Sequence, residues 1–115
     1  MTDVLIRRDL WHQKVKHPCK SGCDLVGRVI ISGSKCHDIK VGDRVCSVGL
    51  ALGGNAKYAI LPASRVFCCP EDIHPTTVAC LVRPYMAAYQ CLHRAGGIKI
   101  RPGNKVLIIG GAGSL

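Results

Sequence analysis

The segment that most restricts the fold lies near the C-terminus, where Lys105-Val106-Leu107-Ile108-Ile109 runs directly into Gly110-Gly111-Ala112-Gly113-Ser114-Leu115. A short, β-branched apolar run has the character of a strand buried on both faces in a parallel sheet. Glycines at its end allow a tight turn, close approach of the backbone to a phosphate, and close packing of a following helix on the strand. Gly111 and Gly113 fill the first two places of such a series, and the third place falls beyond Leu115. The helix whose N-terminus would hold the phosphates falls beyond it too, as does the residue about 20 positions on that reads the ribose. The segment reads as the opening of a dinucleotide-binding unit, with a plain tight turn as the alternative.

Upstream, the pattern is that of a small β domain followed by one helix. The first twenty residues carry no clear period, and residues 11–18 read as a loop closed by Pro18. Leu25 to Ile31 alternates as a strand, with Gly27 marking a bulge or a close backbone approach. Gly33-Ser34 and Lys40-Val41-Gly42-Asp43 are turn signals, and Arg44 to Val48, Lys57 to Leu61 and Arg65 to Cys69 are further β-type runs. Strands so closely spaced predict a small barrel or sandwich. After Pro70 the period changes: Val78, Leu81, Val82, Tyr85, Ala88, Tyr89 and Leu92 recur at helical spacing from a start at Pro75-Thr76-Thr77 to a basic, glycine-rich end at Arg94-Ala95-Gly96-Gly97. Pro84 should kink or divide that helix. Arg101-Pro102-Gly103-Asn104 then turns the chain into the apolar run.

Composition narrows the possibilities further. With 48% hydrophobic and 20% charged residues in 115, the chain is of the packing kind, with room for one modest core. Sixteen Lys and Arg against seven Asp and Glu give a charge of +9, but the basic residues are scattered from Arg7 to Lys105 and aromatics are only 4%. That distribution suits a solvated basic surface and argues against a nucleic-acid partner. No apolar run has the length of a membrane span, and the N-terminus lacks a signal-peptide layout, so the expectation is a soluble, cytoplasmic protein. Its eight cysteines include no Cys-x-x-Cys pair, and most are expected to be reduced, buried thiols that pack as small hydrophobes. The five histidines show no metal spacing and no partnered nucleophile.

Six blocks in order, Asp3-Val4-Leu5-Ile6-Arg7, Gly22-Cys23-Asp24-Leu25-Val26-Gly27-Arg28-Val29, Lys40-Val41-Gly42-Asp43-Arg44-Val45, Gly53-Gly54-Asn55-Ala56-Lys57-Tyr58, Pro84-Tyr85-Met86-Ala87-Ala88-Tyr89 and the Val106 to Gly113 segment, carry a resemblance. The chain resembles the medium-chain dehydrogenase/reductase superfamily, especially its zinc-independent quinone oxidoreductase (zeta-crystallin-like) branch. The resemblance implies an α+β chain: residues 1–98 as most of a GroES-like catalytic barrel with its linking helix, and residues 99–115 as the first strand and glycine turn of a Rossmann domain. It implies that further barrel strands precede Asp3 and that nearly all of the cofactor domain follows Leu115. Such a piece would expose strand edges and apolar surface, associate readily, and lack a complete active site.

The intact protein implied by the resemblance reduces quinones or α,β-unsaturated carbonyls with NADPH, as a homo-oligomer. Gly110, Gly111 and Gly113 would belong to the cofactor site, and Arg83 and Tyr85 are the candidate cleft residues. Packing of Tyr85 along the helix, and a turn or cap role for Asp24, are the structural alternatives. A tyrosine often present in this branch corresponds to Leu5, and a threonine near the nicotinamide corresponds to Ala87. Zinc-containing relatives place a histidine where Cys23 stands, and their last ligand falls on Arg83, a permanent cation that cannot ligate. No metal is expected. A zinc alcohol dehydrogenase-like enzyme and a small thiol, metal or partner-binding module are the rival readings.

Overall fold

The computed structural model describes residues 2–48, 53–94 and 100–113. Helix α1 (Thr2–Arg7) opens the chain, followed by strands β1 (Val26–Arg28), β2 (Arg44–Ser47) and β3 (Val66–Cys68) and the long helix α2 (Pro75–His93). The strands form one antiparallel sheet in the order β1-β2-β3, with Gly27 opposite Val45 and Cys46 opposite Phe67. All four residues of β2, the central strand, are buried.

Why these segments fold as they do follows from local chemistry. The β1–β2 hairpin turns at Lys40-Val41-Gly42-Asp43. Gly42 takes φ +96°, and the Asp43 carboxylate accepts the Lys40 amide at 2.8 Å while the Asp43 amide donates back to the Lys40 carbonyl at 3.1 Å. The strand pairing continues past β1 through Val29, whose amide donates to Asp43 and whose carbonyl accepts from Gly42. Pro75 sits in the first turn of α2, where its missing N–H removes nothing the helix would use. Helix α2 then runs unbroken through Pro84 to His93. The division expected there does not occur, because proline deletes one backbone donor while the bonds of neighbouring turns remain. Helix α1 ends in a Schellman arrangement: Asp9 adopts φ +54°, the Leu10 amide donates to Leu5 O at 2.8 Å, and the Asp9 amide to Ile6 O at 3.0 Å. Six residues are too few to show a period, so the sequence gives no sign of this helix.

Two expected strands differ in the structure. Lys57 to Leu61 forms none: among the described residues it has no ladder partner, and Ile60 is fully exposed. The 105–109 segment is likewise not a strand, and Leu107 and Ile109 are 85% and 89% exposed. Apolar, β-branched composition favours a strand only when a neighbouring backbone supplies the ladder hydrogen bonds and a face to pack on. Among the described residues the hydrophobic core is small, Ile6, Val45, Cys46 and Val78. The radius of gyration, 16.7 Å, exceeds the roughly 13 Å of a compact 100-residue domain. The chain is thus less compact than a closed domain of its length.

The cysteine expectation is corrected as well. Cys46 is buried, Cys19, Cys23, Cys36 and Cys69 are half-buried, and Cys68, Cys80 and Cys91 are exposed. Cys68 lies on the sheet face opposite Cys69, and Cys80 and Cys91 lie on the side of α2 turned away from the sheet, so their neighbours on the core side take the few buried places.

Candidate functional site

Two loops cross beneath α1 at the glycine-containing blocks. The Gly53 and Asn55 amides donate to Ser21 O at 3.3 and 2.9 Å, and the Gly54 amide donates to Gly22 O at 2.9 Å. The crossing leaves no room for side chains at two positions. A Cβ on Gly22, which holds φ +92°, would overlap the Asn55 amide nitrogen, and one on Gly54 would sit 2.5 Å from Asp24 O. Asp3 of α1 pins the crossing from one side: its carboxylate accepts the Gly22 amide at 3.0 Å and the Asn55 side-chain amide at 3.4 Å, while the same Asn55 nitrogen donates to Ser21 Oγ at 2.9 Å. Aspartate and asparagine suit these places because each offers a short, rigid polar group that satisfies backbone donors and neighbours at once.

Beside the crossing, the sheet borders a hollow of about 630 Å³. Val26, Val45, Val66, Leu61 and Ala79 supply its apolar lining. Asp24, Arg28, Lys35 and Lys57 stand at its polar margin, and the Lys57 ammonium lies 5.5 Å from the centre of the Tyr58 ring. An apolar hollow with a few polar groups converging on it is the usual form of a small-molecule site.

A second constellation, unforeseen in the sequence, fixes α2 to the sheet. Arg44 is buried at 8% exposure, and its guanidinium donates to the carbonyls of Pro70, Glu71 and Ile73 at 2.7, 2.9 and 2.5 Å. Arg28, its register partner on β1, forms a two-pronged ion pair with Glu71 at 2.9 and 2.7 Å and also donates to Gly42 O. The Glu71 carboxylate, chiefly by hydrogen bonding, holds the Arg28 charge more firmly than usual. Because that pair is largely exposed, its net worth is small. Arg44 therefore does most of the work of holding the 70–73 segment from which α2 departs. Its only sequence signal is its place after the Lys40 to Asp43 turn.

The predicted site residues are not gathered in one place. Arg83 and Tyr85 are both exposed on α2, Tyr85 at 69%, so the packing alternative for Tyr85 does not hold. Neither borders the hollow. Gly110, Gly111 and Gly113 lie in an exposed turn in which Gly110 takes φ +76° and accepts the Gly113 amide at 2.8 Å. Asp24 is exposed at the margin of the hollow, and its carbonyl takes part in the glycine crossing. Among the described residues, no three His, Cys, Asp or Glu side chains converge in a metal-sized group. No helix of the described residues is long and apolar enough to cross a membrane.

Burial, and then the nearby Cys69 thiol, push the Cys46 thiol above its usual range. A thiol with a raised pKa keeps its proton at neutral pH and is a poor nucleophile. Alkylation at pH 7.5 should therefore label Cys68, Cys80 and Cys91 well before Cys46, as peptide mapping over a time course would read. Equal rates at Cys46 and Cys80 would contradict the burial of Cys46. Because the folded state binds this proton more tightly than the unfolded chain, the associated stability is present below the ordinary thiol range and fades as pH rises through it.

A three-stranded antiparallel sheet with a long helix packed on it, a glycine crossing and a flanking hollow defines a small α+β domain. The alcohol dehydrogenase GroES-like domain matches residues 1–71, and the chain belongs to that family. Quinone oxidoreductases of Sus scrofa and Homo sapiens are 32% and 29% identical to it over 113 residues, 98% of this chain. The chloroplast envelope quinone oxidoreductase homolog of Arabidopsis thaliana is 30% identical over 87 residues, 74% of this chain and 26% of that protein. This chain spans about a third of the two animal enzymes, 34% of each. A crystal structure described as a probable oxidoreductase from Mycobacterium abscessus superposes with a TM-score of 0.72 over 81% of this chain and 29% of that one, at 24% identity, and shares the fold.

Proposed function

We propose that this chain is the catalytic-domain part of a nicotinamide-dependent oxidoreductase that reduces quinones or α,β-unsaturated carbonyls by hydride transfer. The observation that supports this most is an alignment with quinone oxidoreductases along 98% of the chain. Residues 1–98 are read as the catalytic domain and residues 99–115 as the start of the cofactor domain. The glycine turn suits the opening of a dinucleotide site, since Gly110 takes a left-handed φ that other residues adopt at a cost. The turn is exposed, and among the described residues no helix N-terminus follows it to hold a pyrophosphate. When bound, the nicotinamide, as NADPH, supplies the hydride.

The part left to this chain is to hold the substrate's ring plane, keep water away from it and stabilise charge on the reduced oxygen. The hollow is apolar enough for a quinone ring, and Arg28, Lys35 and Lys57 offer cationic groups at its margin. Arg83 and Tyr85, exposed on α2, are available to line the cleft against a cofactor domain. Zinc has no part in this reading, because Arg83 stands where a zinc-binding relative would need a ligand. The whole protein is read as a homo-oligomer that acts on a small molecule, with no nucleic-acid partner.

The 115-residue chain alone should oxidise no NADPH in the presence of a quinone. The native polypeptide captured from its source cells by an antibody to this chain should do so. Turnover by the isolated chain would refute the division of labour. A native polypeptide that oxidises no NADPH with any of a panel of quinones and enones would refute the enzyme reading.

A further inference from the structure

We propose that Cys46 and Cys69 are a redox pair, closing a reversible disulfide when the chain meets a peroxide. The ladder brings them together. Cys46 lies opposite Phe67, and the Cys69 amide donates to Arg44 O at 3.0 Å, so the pairing continues one residue past β3. Arg44, Cys46, Phe67 and Cys69 therefore share one face of the sheet, with the two cysteines on a cross-strand diagonal. After burial, the Cys69 thiol is the next influence that pushes the Cys46 thiol up.

The neighbouring residue is the instructive contrast. Cys68 is adjacent in sequence, but alternation turns it to the opposite face, where its sulfur lies 3.9 Å from a carboxylate oxygen of Asp43. Cys19 and Cys36 face His17 Nδ1 at 3.6 Å and Ile39 O at 3.8 Å. The register thus puts 46 and 69 on one face and turns the adjacent Cys68 to the other.

The step balances as follows. Cys69 is half-buried and the more accessible of the two. Its thiol gives up a proton and the thiolate attacks the peroxide; the S–O bond forms as the O–O bond breaks, the departing hydroxide takes that proton as one water, and a sulfenic acid is left. The Cys46 sulfur then attacks the Cys69 sulfur; the S–S bond forms, the S–O bond breaks, and the Cys46 proton leaves with the hydroxide as a second water. Two thiols lose two electrons and two protons, and the peroxide is reduced. Burial suits Cys46 to the resolving role, since it is shielded from the oxidant on the face it shares with Cys69.

The test is mild oxidation of the dilute full chain with hydrogen peroxide, followed by alkylation and intact-mass measurement. The expected result is a loss of about 2 Da that a thiol reductant reverses. Trypsin should then release a disulfide-linked pair made of residues 45–57, which hold Cys46 alone, and residues 66–94. That linked pair should persist in Cys68→Ser and Cys80→Ser and vanish in Cys69→Ser, a change at a half-buried position. A linkage that survives Cys69→Ser, that disappears in Cys68→Ser, or that never forms would overturn the assignment.

Discussion

Gly22→Ala is expected to lower the melting temperature by at least roughly 10 °C, a larger loss than any other single methyl group added to this chain should cause. Two independent penalties meet at this buried position. Gly22 holds φ +92°, and a Cβ there would overlap the backbone nitrogen of Asn55 and lie 2.8 Å from that residue's Cγ and Oδ1. The first penalty is about 1–2 kcal/mol for a left-handed L-residue. The second is about 1–3 kcal/mol, because the obstacle is backbone held by its hydrogen bond to Ser21 O and cannot move aside as a side-chain tip would. Moving it would also disturb the Asp3 carboxylate, which accepts from both Gly22 and Asn55. The structure supplies its own controls. Gly42 holds φ +96° with nothing within 4 Å of its would-be Cβ, so Gly42→Ala isolates the conformational penalty. Gly33 has neither a positive φ nor a close neighbour, and alanine there should be nearly silent. Thermal denaturation of the three variants checks the ordering, and a Gly22→Ala variant no less stable than Gly42→Ala would mean that the loops do not cross as described.

That crossing marks the limit of what the residues alone disclose. Helix α2 was legible almost to the residue, because seven apolar positions at helical spacing with Pro75 at the start and Arg94 at the end leave little choice. Strands β2 and β3 were legible for the same reason in period two, each within one or two residues at either end. The 57–61 and 105–109 runs have equally good composition and form no strand, since a strand is a relation between two segments and composition describes one. The glycine blocks could be recognised by resemblance, but their physical role needs the distance between Gly22 and Asn55, which are 33 positions apart in the chain. The same is true of the candidate site. Sequence pointed to Arg83, Tyr85 and the C-terminal glycines, whereas the hollow is bounded by Asp24, Arg28, Lys35 and Lys57. Arg44 had no signal beyond its place after the Lys40 to Asp43 turn. A basic residue on a four-residue strand is expected on the solvent face, and nothing local shows that three carbonyls will converge on it.

Arg44→Ala should consequently loosen the seat of α2 and lower stability by about 2–4 kcal/mol, the range for losing several hydrogen bonds to one charged donor when part of the loss is recovered by water. The guanidinium serves three acceptors spread over four residues, Pro70 O, Glu71 O and Ile73 O. A planar fork can do this because its donors diverge at fixed angles; a lysine ammonium cannot reach all three, so Arg44→Lys should recover only part of the loss. Arg28 is the discriminating comparison. It contacts the same segment through Glu71, but both side chains of that pair are well exposed, so Arg28→Ala should leave the melting temperature almost unchanged. The effect should also be local. The 70–73 segment leads into α2, whose Val78 is the helix's buried contact with the sheet, so amides in the first turns of α2 should lose hydrogen-exchange protection before those of β2. If Arg44→Ala exposes β2 and α2 equally while Arg44→Lys behaves as wild type, the charge alone would matter and the three-carbonyl clamp would not. If instead protection is lost first at residues 75–80, a buried cation on the central strand sets the angle of the helix that carries Arg83 and Tyr85, and the placement of those two side chains depends on a residue that touches neither.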